Sequence, residues 1–187
     1  MPIQRSLPNS LAPYANVLQL IGFQVVWFAW ALGIPVDLVW PGLVASVIFL
    51  ALHVLWRASS RDDARAVMVS LGAGFVLDSL LMRVGLLNFA SPNPVPLAGW
   101  QPWWMGLLWA CLGCTLHHSL GWLKARPLLA AGLGAVSGVL SYEAAARMGV
   151  LALGESALVW PWLALFWAVF IPWTQSRQAT PRSDSLG

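Results

Sequence analysis

The sequence has very little charge. Only 9% of its 187 residues are Asp, Glu, Lys or Arg, whereas soluble domains carry about 25%. Hydrophobic residues make up 59% of the chain, which includes 13 tryptophans. This composition excludes a water-soluble fold. The segments outside the apolar runs are also too short for a separate catalytic or nucleotide-binding domain, which needs about 50 residues or more.

Cysteine is scarce, with only Cys111 and Cys114, which lie three positions apart in an apolar run. Two cysteines are too few for a disulfide framework. The first apolar run is not followed by a small-residue cleavage site of the A-x-A kind. We therefore predict that this run is a retained first helix, and that the protein is integral to the membrane from that helix onward.

Six apolar runs have the length and hydropathy of membrane-spanning helices, for which about 20 residues are needed. They cover residues 17–33, 36–56, 66–86, 103–123, 128–151 and 157–172. The sequence thus predicts an all-α, polytopic transmembrane helix bundle with six spans. We expect a single six-helix domain over residues 1–173, followed by a disordered cytoplasmic tail over residues 174–187.

Eight of the ten basic residues lie on one side of the predicted spans. These eight are Arg5, Arg57, Arg61, Arg65, Lys124, Arg126, Arg177 and Arg182. The positive-inside rule then places both termini in the cytoplasm. Because the basic residues follow the topology, we expect no nucleic-acid partner. Residues 57–65 are expected to form a solvated cytoplasmic turn, with His53 at the interface just before it.

The fourth run has no charged residue but contains several reactive side chains. Cys111, Cys114 and His118 fall within about 60° on a helical wheel with 100° per residue. Thiolate and imidazole groups bind zinc, copper or haem iron, but one helix supplies too few ligands, and cysteine is a common buried residue. We interpret the two cysteines as packing residues and expect no metal and no other cofactor.

Apart from Asp37 at the start of the second run, four charged side chains lie within the predicted spans, and they are Asp78, Arg83, Glu143 and Arg147. Asp78 is expected near the bilayer centre, where a charge costs about 2.5–3.5 kcal/mol on insertion scales unless it is protonated, paired or hydrated. One interpretation pairs the four charges across spans three and five. The other is a substrate or proton site in which Asp78, His118 and Tyr142 form one internal polar site, with acid and base roles.

A weak internal repeat is present at an offset of about 64 residues. Gly42-Leu43 and Leu52-His53 fall on Gly106-Leu107 and Leu116-His117 at this offset. The even-numbered runs also begin with Trp and Pro. Three related helix hairpins would explain this pattern, and so would aromatic anchoring at the membrane interface.

Five groups of residues form a set that covers nearly the whole chain. They are Gln24-x-x-Trp27-Phe28, then Asp78 followed by Gly85-Leu86 and Phe89, then the Pro and Trp residues before span four, then Thr115-Leu116-x-His118-Ser119-Leu120-x-Trp122-Leu123, and finally Gly138-x-x-Ser141-Tyr142. Together they resemble a family of uncharacterised bacterial inner-membrane proteins, known only as a domain of unknown function. Cys111 and Cys114 do not belong to this pattern.

The resemblance implies a compact multi-pass helical protein of the bacterial inner (cytoplasmic) membrane, in a family whose members accompany lipid-modifying enzymes. On that basis we expect an enzyme or accessory factor in membrane lipid modification. Its partners would be membrane lipids, and a membrane enzyme or further copies of the chain. The candidate catalytic residues are Asp78, His118, Tyr142 and Glu143, and the candidate substrate-binding residues are Gln24, Trp27, Ser119 and Ser141.

Two alternative functions stay open at this stage. A small proton-coupled transporter or carrier is favoured by the balanced charges within the spans and by the repeat. A non-catalytic scaffold subunit is favoured by helix faces made of small residues, which allow close helix packing.

The predicted topology is tested with alkaline phosphatase, which is active only in the periplasm. We expect a fusion after Gly187 to be inactive and an insertion near Asn93 to be active, because eight of the ten basic residues lie on the side of the termini. The reverse pattern would contradict the topology.

Overall fold

The computed structural model describes residues 12–56, 61–90 and 99–176. Within these ranges the protein has six α-helices, which are α1 Ala15–Gly33, α2 Trp40–Trp56, α3 Arg61–Arg83, α4 Trp103–His118, α5 Pro127–Arg147 and α6 Val159–Ser176. Two three-residue strands, β1 Leu87–Phe89 and β2 Leu151–Leu153, follow α3 and α5. The prediction of an all-α fold with six helices is confirmed.

Three helices in the described part of the chain are long and apolar enough to cross a membrane. They are Ala15–Val36, which is α1 with the 3₁₀ turn that follows it, α3 and α5. Helix α2 and the Trp103–Leu116 part of α4 are apolar but shorter. Many large apolar side chains on the helices point outward, and an apolar outer surface of this kind is typical of contact with lipid.

Helix α4 is shorter than the predicted span, which extended to Leu123. It ends at His118, and a 3₁₀ turn over Gly121–Ala125 leads into α5. Ser119 and Gly121 have low helix propensity, so the chain leaves the helix there. Pro127 is the first residue of α5, a position where its missing N–H and fixed φ suit a helix start.

The end of α5 and the end of α6 also differ from the prediction. Helix α5 ends at Arg147 because Gly149 adopts a φ of +80°, a left-handed conformation that terminates helices. Helix α6 continues to Ser176, and Gln175 within it is buried. Residues 174–176 are therefore helical, and the remainder of the predicted disordered tail lies outside the described residues.

The helices pack mainly as three consecutive hairpins, α1 with α2, α3 with α4, and α5 with α6. In each hairpin a tryptophan ring lies directly over a glycine of the neighbouring helix. The contacts are Trp30 over Gly42, Trp109 over Gly74 and Trp167 over Gly138, where an added Cβ would lie 2.2, 2.1 and 2.1 Å from the ring. The absence of a glycine side chain thus sets the spacing of each hairpin.

The second and third hairpins repeat each other. Asp78 and Tyr142 are separated by 64 residues and hydrogen-bond to one another. The same offset relates Gly85 to Gly149, and both have positive φ. Strands β1 and β2 also correspond at this offset, and they pair antiparallel with Asn88 opposite Ala152. A local two-fold axis between two hairpins brings equivalent residues together and makes their strands antiparallel. The pairing of β1 with β2 has this arrangement.

The contact between tryptophan and glycine is tested by two matched substitutions in α3. Gly74→Ala should lower the free energy of unfolding by about 1–3 kcal/mol, because the new methyl group overpacks against Trp109. Gly72→Ala should be neutral or stabilising by up to about 1 kcal/mol, because nothing lies within 4 Å of its added Cβ and alanine favours helix. Unfolding of both variants in detergent measures this, and equal effects would contradict it.

Candidate functional site

Asp78 is a fully buried carboxyl group in α3, with 0% of its surface exposed. Both of its oxygens accept hydrogen bonds. The Tyr142 hydroxyl donates to Oδ1 at 2.5 Å, and the Trp109 Nε1–H donates to Oδ2 at 2.9 Å. Burying a polar group is costly unless it is hydrogen-bonded, and these two donors offset that cost. Asp78 therefore links α3 to α4 and α5.

A stack of two indole rings reinforces this link. The rings of Trp109 and Trp167 are parallel to within 5°, with their centroids 5.2 Å apart. Since Trp109 belongs to the second hairpin and Trp167 to the third, the stack joins the same two hairpins as the Asp78–Tyr142 hydrogen bond. The buried carboxyl and the aromatic stack thus form one rigid unit.

A cavity of about 560 Å³ lies beside this unit, with walls from α1, α4, α5 and α6. Its walls are mainly apolar and include five tryptophans, namely Trp27, Trp30, Trp104, Trp109 and Trp167. Gln24, Ser141 and Tyr142 supply polar atoms. Volumes of roughly 300–1,000 Å³ with a few polar groups are usual for small-molecule sites. The cavity is therefore suited to an apolar ligand.

Several hydrogen-bond donors lie in the cavity wall. The Trp27 indole donates to the Ser141 hydroxyl oxygen at 3.1 Å and so bridges α1 and α5. Within the described residues, the indole N–H groups of Trp104 and Trp167 are buried without an acceptor. A buried donor left in this state costs about 1–3 kcal/mol.

A second polar cluster lies at the other end of α3. It comprises His53 near the end of α2, Asp63 in the first turn of α3 and His118 at the end of α4. One potential ligand atom from each lies within 4.8 Å of the other two. His118 Nε2 is 2.7 Å from Asp63 Oδ1, and the two imidazole centroids are 5.5 Å apart. This group has the residue types and the spacing to hold a metal ion.

Gln19 of α1 positions one of these imidazoles. Its amide nitrogen lies 3.1 Å from Nδ1 of His53 and donates to the Cys114 carbonyl at 3.1 Å. The Ser119 hydroxyl donates to the Gln19 side-chain oxygen at 2.6 Å. We call Gln19, His53, Asp63, His118 and Ser119 the helix-end cluster, because four of the five residues lie at or beside a helix end.

The structure divides the single polar site that the sequence predicted. Asp78 and Tyr142 are in contact, but His118 contacts Asp63, which precedes Asp78 on α3 by fifteen positions. At about 1.5 Å per residue, that separation is roughly 22 Å. The prediction of one site with all three residues is wrong, because α4 presents Trp109 rather than His118 at the depth of Asp78.

The predicted pairing of charges across α3 and α5 is also wrong. Glu143 accepts a hydrogen bond from Arg147 at 2.6 Å, four positions along the same helix and at the protein surface. The Arg83 guanidinium lies 4.0 Å from the centroid of the Trp100 ring. In the described part of the chain, Asp78 is held by neutral donors instead of an arginine. Glu143 does not belong to the cavity wall.

The candidate substrate-binding residues fall into both regions. Gln24, Trp27 and Ser141 line the cavity, whereas Ser119 belongs to the helix-end cluster. Cys111 and Cys114 are buried free thiols. Among the described residues, the metal-compatible group contains neither cysteine. The packing interpretation of the two cysteines requires that they be buried, and both are.

Sequence reasoning missed the partners of His118. His53 was expected to be an interfacial histidine, and Asp63 was expected in a solvated turn, yet both are buried. The order and direction of the helices could have predicted that these residues lie near each other. Two histidines at the ends of even-numbered helices and an acidic residue at the start of α3 must lie on the same side of the bundle.

A double-mutant cycle tests the central contact of the first region. Asp78→Asn and Tyr142→Phe should each lower the free energy of unfolding by about 1–3 kcal/mol, because each leaves a buried hydrogen-bonding group unsatisfied. The double variant should lose less than the sum, since both changes remove the same bond. Tyr14→Phe, at an exposed tyrosine, should have no effect. Strictly additive losses would show that the two side chains do not interact.

Comparisons with known proteins agree with the resemblance seen in the motifs. No curated protein and no solved structure matches the chain. The family described as "Protein of unknown function (DUF2878)" matches residues 16–173, nearly the whole of the 187-residue chain. The matched region includes the cavity wall and the helix-end cluster. The chain therefore belongs to this family of proteins of unknown function.

Proposed function

We propose that the protein binds an apolar, lipid-like molecule in the cavity beside α1 and α5, as an enzyme or accessory factor in membrane lipid modification. The observation that carries this proposal is the cavity of about 560 Å³, with its aromatic walls and few polar atoms. An apolar chain gains free energy by filling such a space, because it supplies van der Waals contacts to walls that would otherwise have no neighbouring atoms. The ligand is therefore mainly hydrocarbon.

The ligand also carries an oxygen that accepts hydrogen bonds. The Ser141 hydroxyl, which lines the cavity and accepts from the Trp27 indole, supplies a donor for it. The Tyr142 hydroxyl, held by Asp78, belongs to the same wall. If the protein is an enzyme, the Asp78–Tyr142 pair is the group that exchanges a proton with the ligand, because Tyr142 is a titratable residue of the cavity wall.

Access to the cavity is from the side of the bundle. Phe28 on α1 and Leu140 on α5 both line the cavity, yet they are 49% and 60% exposed. The cavity thus reaches the outer surface between these two helices, where Trp27 and Ser141 form the hydrogen-bonded bridge. A lipid would enter from the bilayer without crossing water.

The proposed setting is the bacterial inner membrane, with all six helices spanning it and both termini in the cytoplasm. Eight of the ten basic residues support this orientation, and so do the outward-facing apolar side chains of the helices. In this orientation the helix-end cluster is near the cytoplasm, and Asp78 is nearer the outer surface.

A small proton-coupled carrier is the second candidate function, and the repeat is the observation that favours it. Asp78 and Tyr142 occupy equivalent positions in the second and third hairpins, and they hydrogen-bond to each other. Repeats related by an axis along the membrane normal occur in several transporter folds.

A pair of substitutions in α5 tests ligand binding. Ala144→Phe fills the cavity, because Ala144 lines it, whereas Val136→Phe adds a phenyl ring at an exposed position outside it. We expect mass spectrometry of the purified protein to show a co-purified lipid. Ala144→Phe should reduce it about tenfold, equivalent to about 1.4 kcal/mol. An equal amount of lipid in both variants, or none in the native protein, would overturn the proposal.

Lipid profiles of a deletion strain separate the two candidate functions. A changed membrane lipid that returns with the native gene, but not with the Ala144→Phe variant, supports lipid modification. An unchanged profile, together with a bound lipid in the purified protein, supports the carrier.

A further inference from the structure

We propose that His53, Asp63 and His118 bind a divalent first-row transition-metal ion, either zinc or ferrous iron. One potential ligand atom from each residue lies within 4.8 Å of the other two. Metal–nitrogen and metal–oxygen bonds of about 2.0–2.2 Å place tetrahedral ligands roughly 3.4 Å apart. The three side chains therefore need only small rotations to share one ion.

The backbone holds the three ligands together independently of any ion. Each comes from a different helix, and α3 and α2 both pack against α4. His53 and Asp63 are buried, while His118 keeps 19% of its side-chain surface exposed. An ion thus has a protected site with one accessible side.

An ordinary ion pair does not explain the second imidazole. His118 Nε2 lies 2.7 Å from Asp63 Oδ1, and an ion pair needs only one imidazole. His53 nevertheless packs its ring against His118 at a centroid distance of 5.5 Å. These are two of the three histidines in the chain. Two protonated imidazoles at this distance would repel each other, whereas two neutral imidazoles and one carboxylate converge favourably on a cation.

The ligand set determines the class of ion and its role. Two imidazoles and a carboxylate suit zinc or ferrous iron better than calcium or magnesium, which prefer oxygen ligands. Three protein ligands leave coordination positions open, as in catalytic rather than structural metal sites. A water molecule or a polar group of a substrate would take the open position, on the exposed side of His118.

Gln19 acts as a positioning residue for this site. It contacts Nδ1 of His53, so the ion is bound through Nε2. Coordination there keeps Nδ1 against the Gln19 side chain, which fixes the orientation of the ring. Loss of such an outer partner typically reduces metal affinity about 10–100-fold, so Gln19→Leu should weaken binding by about this factor.

The full-length protein in detergent is titrated with zinc, and with ferrous iron under anaerobic conditions, after chelator treatment. We expect one ion per chain from one of the two metals, together with a rise in melting temperature. His118→Ala, His53→Ala and Asp63→Asn should each lower affinity about 100-fold or more. Cys114→Ser is the matched control, because it removes a buried ligand-type side chain from α4 but leaves the three ligands, and it should bind normally.

Three results would overturn the proposal. They are an absence of stoichiometric binding of both metals to the native protein, loss of binding in Cys114→Ser, and retention of full affinity in His118→Ala. If the ligand variants fail to fold, the native protein still decides the matter. An unchanged melting temperature with both metals would then reject the site.

Discussion

The contact between a tryptophan ring and a glycine of the neighbouring helix is the constraint on which the rest of the structure depends. It occurs once in each of the three hairpins, and an added Cβ would overlap the ring in each. The three rings, Trp30, Trp109 and Trp167, also line the cavity. The same side chains therefore join the helices in pairs and form the surface that faces a ligand, so a change in helix spacing also changes the shape of the cavity.

The two repeated hairpins meet at a pair of unlike residues. Asp78 and Tyr142 occupy equivalent positions, 64 residues apart. Two aspartates at these positions would place like charges together in an apolar interior, where repulsion is strong. One carboxyl and one hydroxyl instead make a hydrogen bond, to which Trp109 adds a second donor. The repeat thus accounts for the arrangement of the hairpins, and its asymmetry accounts for the buried polar group.

The two polar regions have different surroundings and so are suited to different chemistry. The Asp78 region contains one carboxyl group held by neutral donors beside an apolar cavity. The helix-end cluster contains two imidazoles and a carboxylate, with one partly exposed histidine. Helix α3 supplies a carboxyl group to each, about 22 Å apart by its rise per residue. A substitution in one region should therefore leave the other intact, and the two proposals can be tested independently.

The sequence by itself determined the helical class, the six helices and the family, because apolar runs and their lengths are local properties of the chain. It also singled out Asp78 and Tyr142 as polar residues within apolar helices, though not their direct contact. Only the tertiary structure decided which side chains meet. His118 joined Asp63, 55 positions away, because α4 ends at His118 and its packing on α3 brings these two helix ends together. A helical wheel gives the rotation of a residue on its own helix, but contact also depends on the depth and direction of the neighbouring helix, which packing alone fixes.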